Sequence, residues 1–153
     1  METLKALLAE SQLFHDLEPE FLDTITGCAS NAAFEAGHII CREGEPANNF
    51  YVLREGRVAL EAFSLEQGGI ILQTLEPGDV LGWSWLVPPH QWRFDARCVT
   101  RVRAFALDGA CLRGKCATDS RLGYALLKRF AMLLEQRLQA TRLQLLDMYR
   151  NRI

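Results

Sequence analysis

The sequence contains no apolar run that approaches the roughly twenty residues that a membrane-spanning helix needs. Its formal net charge is only −2 over 153 residues, so the chain has no overall excess of positive charge to attract nucleic acid or an acidic membrane. The N-terminal segment METLKALLAESQLF is amphipathic and acidic, unlike a secretory signal or a transit peptide. These absences predict one globular domain in the cytoplasm, without membrane contact.

Residues that carry chemistry are also sparse. The three histidines stand apart from one another, and the sequence has no P-loop, no dinucleotide-binding glycine motif and no nucleophile beside a base. The five cysteines are scattered and odd in number. Cys111 and Cys116 bracket LRGK, a spacing that misses the usual gap of zinc ligands, and no histidine lies near them. We therefore predict unpaired thiols, no metal ion, no catalytic residue and no enzymatic activity.

The pattern of apolar residues divides the chain into three parts. Residues 1–33 have helical spacing, and residues 34–109 form short apolar runs broken by glycines, which is typical of strands in a small barrel. Within the second part, FYVLREGRVALEAF predicts a hairpin with REGR as its tight turn. Residues 118–153 have helical spacing to the end of the chain. The sequence thus predicts a mostly β fold, a small barrel or jelly roll between N-terminal helices and one long C-terminal helix.

The C-terminal helix differs from the rest of the chain in charge and in apolar spacing. Residues 121–153 carry seven Lys or Arg and two Asp or Glu, which favours either a solvated basic face or an acidic partner. A heptad spacing links Leu127, Ala131, Leu134, Leu138, Thr141, Leu145 and Met148. We expect the first of these residues to cover the barrel. A homodimer or a larger protein complex should then form through Leu134, Leu138, Thr141, Leu145 and Met148.

All three tryptophans lie in one connection, PGDVLGWSWLVPPHQWRFDARC, at residues 77–98. Trp83, Trp85, Trp92 and Phe94 would suit either a stacking platform for a flat ligand or a core that closes the mouth of the barrel. We predict that at least two of the three tryptophans pack in the core and that one contacts a ligand.

Together these segments resemble the cyclic-nucleotide-binding domain of the catabolite-activator and protein-kinase regulatory-subunit type. LFHDLEPEFLDTI is similar to the helical lead of that family, FEAGHIICREGEPANNFYVLREGRVAL to its first strands, and LEPGDVLGWSWL to the start of its phosphate-binding cassette. The resemblance covers nearly the whole chain and places the cassette at residues 77–97. It implies a cupin-like jelly roll followed by an interface helix at residues 118–153.

In that family, the cassette holds a cyclic phosphate through backbone N–H groups after a glycine and through an arginine, and a glutamate holds the ribose. Gly82 matches the glycine, but Trp83 stands at the position of the glutamate. Arg93 lies ten residues beyond Trp83 and matches the arginine, although a count back from the next strand places Trp92 there. The resemblance thus implies six candidate ligand-binding residues: Gly82, Trp83, Ser84, Trp85, Arg93 and Phe94.

A cassette that lacks part of this signature predicts a ligand other than cyclic AMP or cyclic GMP, such as another nucleotide-like anion. We expect a non-enzymatic regulatory or sensor domain that signals or docks through its C-terminal helix. One alternative is an accessory structural subunit of a multi-subunit oxidoreductase, of the hydrogenase kind, with a filled pocket; another is a genuine cyclic-nucleotide binder. In activators of the family a helix-turn-helix domain follows the interface helix, and this sequence stops at that helix, so we expect no direct DNA binding.

Overall fold

The computed structural model describes residues 3–66 and 68–151. Two short helices, α1 (Leu4–Ala9) and α2 (Pro19–Thr26), precede the strands. In chain order the strands are β1 (Ala29–Phe34), β2 (Ile39–Cys41), β3 (Asn49–Glu55), β4 (Val58–Ser64), β5 (Gly68–Leu75), β6 (Val80–Leu81), β7 (Asp95–Cys98) and β8 (Val102–Asp108). Two further helices follow them, α3 (Gly109–Thr118) and α4 (Ser120–Arg150).

The strands form two antiparallel sheets of four. The first sheet has the order β1-β8-β3-β6 and the second the order β2-β7-β4-β5. Both sheets contribute to one buried cluster, which includes Leu53 of β3, Leu60 of β4 and Ala96 of β7. Because alternate residues of a strand point to opposite faces, the inward residues of the two sheets meet and fill the interior. The jelly-roll barrel with flanking helices that the sequence predicts is confirmed.

The REGR turn does not close a hairpin, contrary to the sequence prediction. β3 pairs with β6 and β8 in one sheet, whereas β4 pairs with β5 and β7 in the other. Both edges of β3 are therefore occupied, and the turn at Gly56 and Arg57 carries the chain from one sheet to the other. A turn between two alternating segments indicates strands, but it does not say which strand supplies the hydrogen-bonding partner.

The first strand also begins earlier than the boundary at residue 34 that the apolar spacing indicates. β1 starts at Ala29, inside the segment 1–33 with helical spacing, and it pairs with β8 from Ala29 to Phe34. Its burial pattern is irregular, since Ala29, Ala32 and Phe34 are half-buried and the other three residues are exposed. Pairing with a central strand thus overrides a weak local preference.

Side-chain caps fix the starts of both C-terminal helices. The Asp108 carboxylate accepts a hydrogen bond from the Cys111 N–H at the start of α3, and the Asp119 carboxylate accepts from the Arg121 and Leu122 N–H groups at the start of α4. The predicted helix over residues 118–153 corresponds to α4, which begins at Ser120, and α3 is a separate helix that ends just before Asp119. Residues 152 and 153 of that prediction lie outside the described residues.

Cys28 and Cys111 form a disulfide bond, so the prediction of unpaired thiols is wrong for this pair. The bond joins the residue before β1 to the first turn of α3, and it closes a sequence separation of 83 residues. Such a distance in sequence gives no spacing signal, because only the fold brings the two Cα atoms to 5.9 Å. Cys41, Cys98 and Cys116 are free thiols.

The helices pack against the outer face of the first sheet. Their shared core includes Leu8 of α1, Ile25 of α2, Phe50 and Leu107 of the sheet, and Phe130 of α4. α4 therefore lies against the body of the domain along its first turns. Within residues 3–66 and 68–151, no helix has both the length and the apolar character to cross a membrane.

Candidate functional site

The predicted cassette, residues 77–97, begins at the turn between β5 and β6 and ends in β7. Gly82 follows β6 directly, with a φ of +102°. This left-handed conformation favours glycine and turns the chain sharply away from the sheet. The indole ring of Trp92 then packs directly on Gly82. The Trp92 ring therefore lies where a side chain at position 82 would otherwise stand.

Trp92 and Phe94 fill the interior of the barrel. Each is only 5% exposed, and their ring centroids lie 6.0 Å apart. They share the buried cluster with residues of both sheets, such as Leu53 and Ala96. Phe94, which the resemblance suggests as a ligand contact, is therefore placed in the core.

Trp85 belongs to a different core, between the first sheet and the helices. Its ring is fully buried, stacks on Phe50 at 4.8 Å and meets the edge of Phe130 at 5.4 Å. Ser84, beside it in the chain, is only 8% exposed. Two of the three tryptophans, Trp85 and Trp92, thus pack in the core, as predicted.

Arg93 lies on the outside of the domain. Its neighbours Trp92 and Phe94 are buried in the barrel, whereas the Arg93 side chain, in the bend before β7, is exposed. No ion pair joins Arg93 to Asp95 within the described residues, and the Asp95 carboxylate accepts a hydrogen bond from the Glu43 N–H at 2.8 Å. The arginine nominated by its distance from Gly82 is therefore not directed at the interior beside Gly82.

Trp83 lies between the cassette and α4 and is half-buried. One edge contact joins it to Phe94 at 5.8 Å, and the guanidinium of Arg137 lies over its ring, 4.7 Å from the ring centroid. Arg137 also donates a hydrogen bond from Nη2 to the backbone carbonyl of Val80, in β6. Trp83 and Val80 together hold this arginine of α4 at the mouth of the cassette.

The environment of Arg137 is unusual for a charged side chain. Burial lowers the pKa of its guanidinium to about 10, and the negative charge of Asp79 acts in the opposite direction. Its Nη1 atom is buried and has no hydrogen-bond partner among the described residues. Arg137 thus remains a cation at neutral pH with one donor group unused. This residue was not among the candidates predicted from the sequence, where it is one of seven Lys or Arg in residues 121–153.

α4 presents two apolar stripes. The covering stripe, which packs on the domain, consists of Leu122, Leu126, Phe130 and Leu133. The outer stripe is the heptad series predicted from the sequence: Leu127, Ala131, Leu134, Leu138, Thr141, Leu145 and Met148. Its first member, Leu127, is 54% exposed, so the expectation that this series begins by covering the barrel is wrong. Successive residues of a helix are rotated by about 100° around its axis. The outer stripe is offset by one residue from the covering stripe, so the two stripes lie on different sides of α4.

The outer stripe continues past the body of the domain. Leu134 is half-buried, whereas Leu138, Thr141, Leu145 and Met148 are all exposed. Every residue from Leu138 to Arg150 is in fact exposed, whatever its polarity. The structure therefore gives this half of α4 no covering from the described part of the same chain.

A surface groove of about 600 Å³ lies between α4, residues of the segment 12–21 and residues 78–80. Leu17 and Phe21 of the α2 region, Val80 of β6, and Lys128 and Met132 of α4 are among its lining residues. It arises from the way α2 and α4 meet, so no sequence motif indicates it. The groove touches the cassette only at residues 78–80.

Comparison with protein families gives a match over residues 32–119 to the model described as the cyclic nucleotide-binding domain. In sequence, the chain is 27% identical over 142 residues to the CRP-like cAMP-activated global transcriptional regulator of Mycobacterium tuberculosis. That alignment covers 93% of this chain and 62% of the regulator. The chain therefore spans about 62% of the length of this curated relative.

Solved structures give the same picture of the fold. A candidate cyclic nucleotide-binding protein from Geobacter metallireducens is 28% identical, with a TM-score of 0.81 and coverage of 90% of this chain and 99% of that one. The catabolite activator protein of Thermus thermophilus is 24% identical, with a TM-score of 0.70 and coverage of 90% and 62%. The second likeness concerns the fold alone.

Proposed function

The chain belongs to the cyclic nucleotide-binding domain family, and from this premise we propose that it is a regulatory domain whose cassette does not accept a cyclic nucleotide. Its output passes through α4 to a second copy or to a partner protein. We also propose that it has no catalytic activity, because its sequence offers no nucleophile beside a base. A regulatory domain of this kind alters the activity of the protein that it binds and does not transform a substrate.

The observation that carries this proposal is the position of Trp92. Its ring fills the barrel interior beside Gly82, where a cyclic phosphate would approach the cassette by family resemblance, while Arg93 faces solvent. A phosphate at that place would lack both space and the arginine that pairs with it. Losing charge-assisted hydrogen bonds of this type weakens binding by about ten- to a hundredfold each. The overlap with an indole ring adds a steric penalty.

The exposed half of α4 supports the second part of the proposal. A helix whose leucines stand in water from Leu138 onward gains stability when another protein covers them. We propose a homodimer or a larger complex formed through the outer stripe, and no direct contact with DNA by these residues.

The filled interior equally favours a second candidate function, that of a structural accessory subunit of a multi-subunit oxidoreductase, which docks through α4 without sensing a ligand.

We propose the cytoplasm as the site of action, following the sequence. The Cys28–Cys111 bridge makes this proposal testable, since stable disulfides are rare in reducing compartments. In a cytoplasmic protein this pair should be found reduced in part of the population after rapid acid quenching of cells.

Calorimetric titration with cyclic AMP and cyclic GMP tests the main proposal. The wild type should give no saturable heat at ligand concentrations up to the millimolar range. A double variant, Trp83→Glu with Trp92→Arg, puts back the acid and the arginine that the family pattern asks for, and it should bind more tightly than the wild type if it folds. A micromolar dissociation constant for either nucleotide with the wild type would end the proposal.

A further inference from the structure

The covering face of α4 carries one charged residue at its far end. Leu126, Phe130 and Leu133 are followed on the same side of the helix by Arg137, which continues this stripe over the cassette. If the side chain at position 137 only extended the apolar contact of the covering stripe, we would expect an apolar residue there. A guanidinium there must be desolvated, which is unfavourable unless its charge and its donors are met.

The described residues meet only part of that requirement. Nη2 donates to the Val80 carbonyl and the face of the guanidinium lies on Trp83, but Nη1 has no acceptor. The charge of Asp79 acts on Arg137 from a distance, but its carboxylate is not hydrogen-bonded to the guanidinium among the described residues; its Oδ2 accepts from the Glu76 N–H at 2.8 Å. No ion pair between Arg137 and a carboxylate occurs in residues 3–66 and 68–151. The site holds a positive charge without a counter-charge in contact.

We propose that Arg137 is the anion-binding residue of this domain and takes an oxygen of a terminal phosphate group, which a cyclic nucleotide lacks, between α4 and the cassette. The inference rests on the proposed function, because it names the ligand class of the same regulatory site. In this arrangement the arginine comes from the helix that leaves the domain, not from the cassette. Trp83 fixes the plane of the guanidinium, and Nη1 offers an unused N–H donor to an oxygen of the anion.

A ligand at this place would be linked directly to the position of α4. Nη1 is covered by protein when no anion is bound, so an oxyanion reaches it only if α4 or the Trp83 ring shifts. Binding therefore moves the equilibrium toward the shifted state, by an amount set by the difference in the affinity of the two states for the anion. Because the half of α4 beyond Arg137 carries the exposed outer stripe, this shift would reach the surface that we propose as the output.

The test uses the whole chain, and its probes are inorganic phosphate and AMP, with sodium chloride and acetate at matched ionic strength. Thermal unfolding and calorimetry are recorded for the wild type, Arg137→Met and Arg93→Ala. Phosphate or AMP should stabilise the wild type with a saturable curve that chloride and acetate do not reproduce. Arg137→Met, which keeps the length of the side chain but not its charge, should weaken binding by about tenfold or more. Arg93→Ala, an exposed arginine of the cassette, should bind within about twofold of the wild type.

Other outcomes overturn the inference. These are a wild type without saturable binding of phosphate or AMP, binding that survives in Arg137→Met, and binding that is lost in Arg93→Ala. An equal response to acetate would overturn the assignment to phosphate. If Arg137→Met does not fold, Arg137→Lys keeps the charge without the planar fork, and it should still weaken binding measurably; unchanged binding in this variant would also count against the inference.

The two proposals fail in different ways. A wild type that binds cyclic AMP tightly, and that also binds phosphate or AMP with Arg137 required, would end the proposed function and leave the role of Arg137 standing. A wild type that binds neither cyclic AMP nor phosphate would leave the proposed function standing and end the role of Arg137. The second result would favour the structural subunit, in which Arg137 only fastens α4 to the cassette.

Discussion

The ring of Trp92 packs so closely on Gly82 that a Cβ built on Gly82 would lie 2.7 Å from Cη2 of Trp92. At this point the cassette glycine has two roles at once. Its φ of +102° turns the chain after β6, and its missing side chain leaves room for an indole inside the barrel. The same contact that makes the interior compact is the one that leaves no space for a ligand beside Gly82.

Gly82→Ala should therefore destabilise the domain through both effects. Backbone strain at a positive φ contributes about 1–3 kcal/mol, and crowding against Trp92 contributes about 1–3 kcal/mol more. Gly78→Ala is the matched control, because Gly78 has a φ of +95° and open space where its Cβ would stand. Urea denaturation of both variants should show the larger loss at Gly82. Equal losses would mean that Trp92 is not packed on the glycine.

The disulfide gives a second prediction. Cys28→Ser should lower the free energy of unfolding by about 2–4 kcal/mol, because the bond constrains a long loop of the unfolded chain. Cys116→Ser is the matched control at a free thiol of α3, and it should change stability much less. Alkylation of the unreduced, denatured chain followed by mass spectrometry should label three of the five cysteines. Labelling of all five would show that Cys28 and Cys111 are not bonded.

Cys41 predicts a loss of stability in alkali. Burial raises the pKa of its thiol from 9.0 to about 12 in the folded chain. Between pH 9 and 10 the unfolded chain therefore releases this proton while the folded chain keeps it, and the free energy of unfolding falls as the pH rises. The slope approaches about 1.4 kcal/mol per pH unit for one thiol. Urea denaturation at pH 8, 9 and 10 should show a smaller decline for Cys41→Ala than for the wild type; parallel declines would contradict this account.

Periodicity predicted the fold from the sequence, and local spacing did not predict its long-range contacts. Glycine-punctuated strands and the C-terminal helical pattern were enough for a jelly roll with a long helix, because each depends on neighbours along the chain. The REGR turn misled, since the partner of β3 is chosen by the whole sheet. The Cys28–Cys111 pair was invisible for the same reason, with 83 residues between its members.

The candidate site could be predicted only in part. Spacing located Gly82 and the tryptophans, but the count to Arg93 selected an arginine that is exposed in the bend before β7. The signal for Arg137 was present in the sequence as a cation that continues the spacing of Leu126, Phe130 and Leu133. It was overlooked because the heptad series beside it, the outer stripe, is the longer pattern. A charged residue on the shorter stripe is informative only once the fold shows which stripe covers the domain.

The outer stripe gives the last prediction, which concerns assembly. Leu138, Leu145 and Met148 are 67%, 51% and 59% exposed, on one side of the part of α4 that the described chain leaves uncovered. Burying a large apolar side chain stabilises an interface by roughly 1.5–3 kcal/mol, so three of them favour a moderate dimer. The small residues Ala131 and Thr141 on the same stripe allow two helices to approach closely but add little apolar area of their own.

Light scattering coupled to size exclusion should therefore find the wild type as a concentration-dependent dimer. Leu138→Glu with Leu145→Glu places two charges in the stripe and should give a folded monomer, because these side chains contribute nothing to the core of the single chain. Gln136→Glu with Gln139→Glu adds the same charge about 100–180° away from Leu138 and Leu145 around the helix and should leave the dimer intact. If the leucine variant and the wild type run as the same folded monomer, α4 does not pair with itself. The proposed complex would then require a different protein to cover the outer stripe. If the glutamine variant dissociates as readily as the leucine variant, net charge and not the stripe controls assembly, and the interface assigned to Leu138 and Leu145 is wrong.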